Sequence, residues 1–327
     1  MIRIALDAMG GDHAPAEIVK GAVLASLEYP VSIILVGDKQ KVEKELSRYK
    51  KRGNISVVPA TEMIGNDESP VAAVKQKKDS SLNVAVSLVK NKAADAVVSA
   101  GNTGALMTAG LFGLGRIPGV ERPAIATIFP TPSGPILLLD MGANVDCKPK
   151  QLQQFGQMGA QYAAHVMHIK EPRVGLLNIG EEKEKGNQLV IESWPLLKGA
   201  KINFVGNVEA KEILSGKVDV IVCDGFVGNL ILKFGESITA FTINLLKKEL
   251  AKNLITKFAA FLLLPALGSI KKSVDYEEAG GAPMLGINGI VFKAHGRANA
   301  KAIKNAVRVA IEAVKEDLVG CLSKMEK

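Results

Sequence analysis

Only three cysteines, Cys147, Cys223 and Cys321, occur in the 327 residues, and they lie far apart. That spacing builds neither a disulfide framework nor a cysteine-based metal cluster. Aromatic residues are also few, 5% of the chain against 47% hydrophobic. A core of Ala, Val, Ile and Leu with few rings is the filling expected of a parallel α/β protein. No G-x-G-x-x-G opens a helix and no G-x-x-x-x-G-K-[ST] occurs, so the usual dinucleotide and nucleoside triphosphate signatures are missing. H-E-x-x-H, C-x-x-C and the G-x-S-x-G elbow are missing as well. No cofactor, no metal and no activated serine is therefore expected. The substrate must bring its own nucleophile, as ionised inorganic phosphate does.

Acidic residues are the minority charge, 33 against 41 Lys and Arg, which leaves a net charge of +8. Such an excess favours an acidic partner: nucleic acid, an anionic membrane surface or an acidic carrier protein. Without an arginine-rich block, an aromatic stacking platform or a zinc knuckle, no nucleic acid partner is expected. Ile2 to Leu6 enters a strand at once, so a reducing, cytoplasmic setting is expected. Phe258 to Gly268 is an apolar run too short for a bilayer, which needs about 20 residues. Lys252, Lys257, Lys271 and Lys272 bracket it. Phe258, Phe261, Leu262, Leu263 and Leu264 therefore suit an element lying in the headgroup layer, or equally a dimer interface.

What the chain does contain is one repeated pattern: a buried strand, a Gly-rich polar turn and a helix. The pattern predicts an α/β protein, a layered α/β/α sandwich. Val218 to Cys223 is a β-branched run that breaks at Asp224-Gly225, and apolar residues recur at helical spacing from Gly228-Asn229 onward. Ile2 to Leu6 runs into Asp7-Ala-Met-Gly-Gly-Asp-His-Ala-Pro15, which holds His13. Ala96 to Ala100 runs into Gly101-Asn102-Thr103-Gly104. Pro135 to Asp140 runs into Met141-Gly-Ala-Asn144-Val-Asp146. Val174 to Ile179 runs into a charged loop with Lys183 and Lys185. The strand from Gly289 to Lys293 ends in Ala294-His295-Gly296. Further strands are predicted at 31–36, 55–58, 124–129 and 201–205, and helices at 16–26, 39–51, 70–78, 105–114, 149–167, 237–261 and 297–314.

Each turn has a bland reading as a helix cap and a functional one as an anion site, since unpaired backbone N–H groups collect there. Arg122, in Glu121-Arg122-Pro123, is either a salt-bridged turn residue or an oxyanion clamp. The loop of Lys183 and Lys185 is either a solvated connection or supplies one of them as a phosphate contact. His165 and His168 stand three apart with no third ligand near in the sequence, which favours surface or interface histidines over a metal site.

Five stretches, the last a Gly-rich turn, occur in one order over nearly the whole chain: the turn at 7–15, Ser99-Ala-Gly-Asn-Thr-Gly-Ala105, Leu139-Asp-Met-Gly-Ala-Asn-Val-Asp146, Cys223-Asp-Gly-Phe-Val-Gly-Asn229 and Gly280-Gly-Ala-Pro283. Together they resemble the bacterial acyl-ACP:phosphate acyltransferase family of phospholipid synthesis. Met141 and Arg297 depart from the pattern, where Val and a small polar residue would be expected. The resemblance implies a fold like the isocitrate and isopropylmalate dehydrogenases and phosphotransacetylase. It implies one two-lobed catalytic unit over 1–327, with a helical apolar protrusion at about 237–275. It also implies a homodimer, peripherally membrane-associated, that moves a long-chain acyl group from acyl carrier protein to inorganic phosphate. A membrane glycerol-3-phosphate acyltransferase then uses the acyl phosphate. On this footing Gly101, Asn102, Thr103, Gly104, Asn144, Gly225 and Asn229 would hold phosphate and the developing oxyanion. Lys183 or Arg122 would offset charge, Asp146 or Asp224 would orient the donors, and His13 would protonate the departing thiolate. Rival readings are an acyl-coenzyme A enzyme of the same fold, a dehydrogenase and a non-catalytic membrane scaffold.

Overall fold

The computed structural model describes residues 1–253, 256–258, 260–263 and 280–325. In its first half β1 (Ile2–Asp7), α1 (Ala16–Glu28), β2 (Val31–Gly37), α2 (Lys39–Leu46) and β3 (Ile55–Pro59) alternate. Two helices, α3 (Pro70–Gln76) and α4 (Ser81–Lys90), then lead to β4 (Ala96–Ser99) and α5 (Thr103–Leu114). β5 (Ala124–Phe129) and β6 (Ile136–Leu139) form a hairpin, followed by α6 (Pro149–His165), β7 (Arg173–Asn178), α7 (Gln188–Gly199) and β8 (Asn203–Glu209). β9 (Val220–Val222) feeds α8 (Gly225–Leu250). After it come β10 (Ala282–Leu285), β11 (Ile290–Lys293), α9 (Ala300–Lys315) and α10 (Leu318–Ser323).

Eleven strands make one sheet in the order β3-β2-β1-β4-β11-β10-β5-β6-β9-β7-β8. Strand residues alternate between two apolar layers, Ile4 and Leu6 facing one and Ala5 the other. Helices α1, α6 and α9 supply the first layer, and α3, α4, α5 and the start of α8 the second. Both faces are covered, which is why the strands read as continuous apolar runs rather than alternating ones.

Direction matters more than order here. β3, β2, β1, β4 and β11 are mutually parallel. β10 is antiparallel to both β11 and β5, and β5 is antiparallel to β6. β6, β9, β7 and β8 are again parallel. Three reversals leave this second wing running opposite to the first, so the carboxyl ends of the two wings open toward opposite edges.

The structure adds elements that local pattern does not reveal. β10 lies inside a stretch that reads as a Gly-rich turn, because four residues with Pro283 carry little strand signal until β11 and β5 flank them. α4 follows directly where one helix to Lys78 is predicted, and α7 forms around Pro195. α8 starts at Gly225, three residues earlier than the spacing suggests, and runs unbroken to Leu250 rather than restarting at Ser237.

α1 and α9 cross where Gly21 lets the backbones approach. A Cβ there would stand 2.5 Å from Ile303 Cβ and 2.8 Å from the Ala300 carbonyl oxygen. Gly21→Val should therefore overpack this contact and cost about 1–3 kcal/mol, read as a lower urea midpoint at unchanged slope.

Candidate active site

The first wing ends in a buried polar cluster. Asp7 and Ser99 stand on neighbouring strands, Ser99 is level with Lys293 on β11, and the Ser99 hydroxyl donates to Asp7 Oδ2 at 2.7 Å. Met9 N–H donates to Asp7 Oδ1 at 3.2 Å, and Gly101 N–H to Ser99 Oγ at 3.0 Å. The turns after β1 and β4 interlock, since a Cβ on Gly10 would lie 2.5 Å from Asp7 Oδ2 and 2.7 Å from Gly101 N. Gly11 has φ +105°, a conformation that favours glycine, and Asp12 N–H next to it donates to the Gly296 carbonyl at 2.8 Å.

Asn102 has a double role at this edge. Its Oδ1 caps α5 by accepting Ala105 N–H at 3.0 Å, and its Nδ2 donates to the Asn66 carbonyl at 3.0 Å. Asn66 Nδ2 reaches Asp12 Oδ1 at 3.3 Å. Gly101 is buried, Thr103 is exposed, and Gly104 sits under Pro70. His13 is exposed on the first turn. Lys293, which reads in the sequence as the end of a strand, is drawn into this cluster. Its Nζ donates to the carbonyls of Ala100 (3.3 Å) and Ala294. Burial pushes its ammonium down to about 8, against the opposing pull of Asp12 and Asp7. Burial likewise lowers His295, beside Glu236 of α8, Lys293, Arg297 and Asp12.

A second cluster occupies the opposite edge, where β6 and β9 end. Asp140, fully buried, accepts N–H groups from Ile125 (2.9 Å), Ala143 (3.2 Å) and Asn144 (2.6 Å), and Nδ2 of Asn144 (3.0 Å). Burial still leaves its carboxyl above the usual range. Asn144 Nδ2 also donates to the Pro123 carbonyl at 2.8 Å, and the Asn144 carbonyl accepts Gly225 N–H at 2.7 Å. Asp224 caps α8 through Val227 N–H at 3.0 Å. Asn229 lies against Gly142, and Asp146 is exposed. Nearby thiols are poor nucleophiles: burial and then Asp140 push Cys147 up to about 12, and burial raises Cys223 too.

The residues expected to share one site are thus divided between two edges. His13, Gly101, Asn102, Thr103 and Gly104 stand at the first. Asn144, Asp146, Asp224, Gly225 and Asn229 stand at the second, with exposed Arg122 before β5 and Lys183 beyond β7, the latter 3.5 Å from Glu184. α8 connects the edges. Its 26 residues span ~39 Å, beginning at Asp224 and carrying Glu236 within electrostatic reach of His295. Its outward face exposes Phe226, Leu230, Phe234, Ile238, Phe241 and Leu245, with Phe234 68% accessible. By length and composition alone α8 could cross a membrane. Phe258, Phe261, Leu262 and Leu263 are exposed as well, and Leu264 lies outside the described residues. His168, expected to have no third ligand near in the sequence, meets Glu312 and Glu316 on the surface, their ligand atoms within 4.8 Å of one another. A contact made 144 residues away leaves no local signal.

Comparison with known proteins agrees with this architecture. The model of a family described as "Fatty acid synthesis protein" matches residues 2–320. A phosphate acyltransferase of Moorella thermoacetica is 53% identical over 98% of this chain and 95% of its own. One of Nostoc sp. is 50% identical over 96% of this chain and 93% of its own. Among solved structures, a phosphotransacetylase from Streptococcus pyogenes superposes with a TM-score of 0.66 at 16% identity, covering 96% of this chain and 94% of its own. A branched-chain phosphotransacylase from Enterococcus faecalis superposes at 0.61 and 16% identity, covering 96% and 99%. At that identity the likeness is one of fold.

Asp140→Asn would turn an NH2 group toward backbone N–H donors at a fully buried position. The substitution should cost about 2 kcal/mol, measured as a lower thermal midpoint, with Gly225→Ala destabilising in the same assay because its Cβ would meet Asp140 Oδ2 at 2.7 Å.

Proposed function

The chain belongs to the phosphate acyltransferase family of fatty acid synthesis and is an acyltransferase, and from that premise we propose that it moves a long-chain acyl group from acyl carrier protein to inorganic phosphate. The acyl phosphate would serve phospholipid synthesis, consumed by a membrane glycerol-3-phosphate acyltransferase. The observation that carries this reading is the first edge, where β1, β4 and β11 bring Lys293, Asn102 and glycine-lined turns together beside the start of α5.

Phosphate is already ionised at neutral pH, so the reaction needs positioning more than activation. Backbone N–H groups at the start of α5, with Asn102 and Thr103, would hold the anion and the oxyanion that forms on the thioester carbonyl. Orientation of this kind contributes up to ~7–11 kcal/mol in ideal intramolecular cases. The raised thiols of Cys147 and Cys223 favour direct attack over an acyl-enzyme.

A homodimer fits the same reading. The apolar stripe on α8 calls for a cover, and a second copy of the chain supplies one. In such a dimer the edge carrying Asp224 and Asn229 can close on the partner's edge carrying Asn102, so that two half-sites share one phosphate. Exposed Phe258, Phe261, Leu262 and Leu263, together with the +8 charge, suit peripheral attachment to an anionic membrane.

Purified protein should release thiol from acyl carrier protein only when phosphate is present, and more slowly from acyl-coenzyme A. Asn102→Ala and Asp224→Ala should each lower turnover about 100–1,000-fold. Mixing the two variants should restore roughly a quarter of wild-type turnover through mixed dimers, each with one intact site. Full activity in both single variants would remove these residues from the site. Phe261→Glu with Leu263→Glu should abolish flotation with anionic vesicles and spare turnover of soluble substrate; unchanged flotation would reject the anchor.

A further inference from the structure

We infer that Lys293 is the proton donor to the departing thiolate, an inference that rests on the acyl-transfer reading above. Geometry leads to it. A lysine ammonium has three N–H donors, and two are committed to the carbonyls of Ala100 and Ala294. Among the described residues no acceptor takes the third. The group sits at the mouth formed by β1, β4 and β11, level with Ser99 and beside the turn that carries Asn102. His13, by contrast, is exposed on the outer turn.

The surroundings make a proton donor useful. Asp7 and Asp12 lie within electrostatic reach of Lys293, and Glu236 with Arg297 within reach of neighbouring His295. A pantetheine thiolate can leave unaided in water, but in a buried site an anionic sulfur loses its hydration and a neutral thiol loses far less. Burial brings Lys293 to about 8, near the ~8.5 of a cysteine thiol. Transfer between groups so matched carries little uphill cost.

The step balances. An oxygen of hydrogen phosphate attacks the thioester carbonyl carbon and forms the new C–O bond. The C–S bond breaks, its electron pair goes to sulfur, and the Lys293 proton follows. The acyl phosphate, a stronger acid than its parent, returns its proton to the Lys293 amine.

The test uses full-length protein, phosphate and two acyl thioesters, one of an alkyl thiol and one of a nitrophenyl thiol whose anion departs without help. Lys293→Met and Lys293→Arg should lower kcat on the alkyl thioester about a hundredfold and stay within about threefold of wild type on the aryl one. Activity on the aryl substrate also reports that the variants fold. Wild-type turnover of the alkyl substrate should fall as pH rises through about 8, and that limb should vanish with the aryl substrate. Equal losses on both substrates, or full activity of Lys293→Arg on the alkyl thioester, would overturn the proton-donor role while leaving the acyl-transfer reading intact. Absence of phosphate-dependent release by the wild-type protein overturns both.

Discussion

Between β11 and β6 the sheet reverses direction through β10 and β5, and every polar turn inherits its position from that seam. Met284 pairs with Ile125 and Ala282 with Lys293, so a few backbone hydrogen bonds join two parallel wings that run opposite ways. A parallel sheet delivers its turns to one edge. Inserting antiparallel strands splits the delivery in two. The chain consequently presents one polar cluster built around Asp7 and another around Asp140, with α8 spanning the interval.

Buried Asp7 and buried Asp140 are handled differently. Asp140 is ringed by N–H donors belonging to the turn it organises, and Asn144 spends its own donors on Asp140 and Pro123. Such a network is closed, and its worth is the geometry it imposes on the start of α8. Asp7 shares its cluster with a serine hydroxyl, two glycine turns and an incompletely committed lysine. An open network of this kind is less stable by itself and has capacity left for a ligand.

Much of the architecture was legible in the chain. β-branched runs ending in Asp-Gly, Gly-Asn or Gly-Gly announced the strand ends, and Asn102 and Asp224 cap helices where the turns predicted helix starts. Strand direction was not legible, because Pro135–Asp140 reads the same whichever way its neighbours run. β10 was hidden for a related reason: Ala282–Leu285 becomes a strand only between partners. Lys293 was passed over because a lysine closing a strand is usually solvated, and its burial comes from the turn at Ala100, far away in the sequence.

The stripe on α8 has a thermodynamic consequence. An apolar face of that extent on a folded chain is a binding site for whatever covers it, and the unfolded chain has no such face. By mass action the cover raises apparent stability as RT ln(1 + [L]/Kd). The melting point of this protein is therefore not a single number but a function of how much of that cover is present.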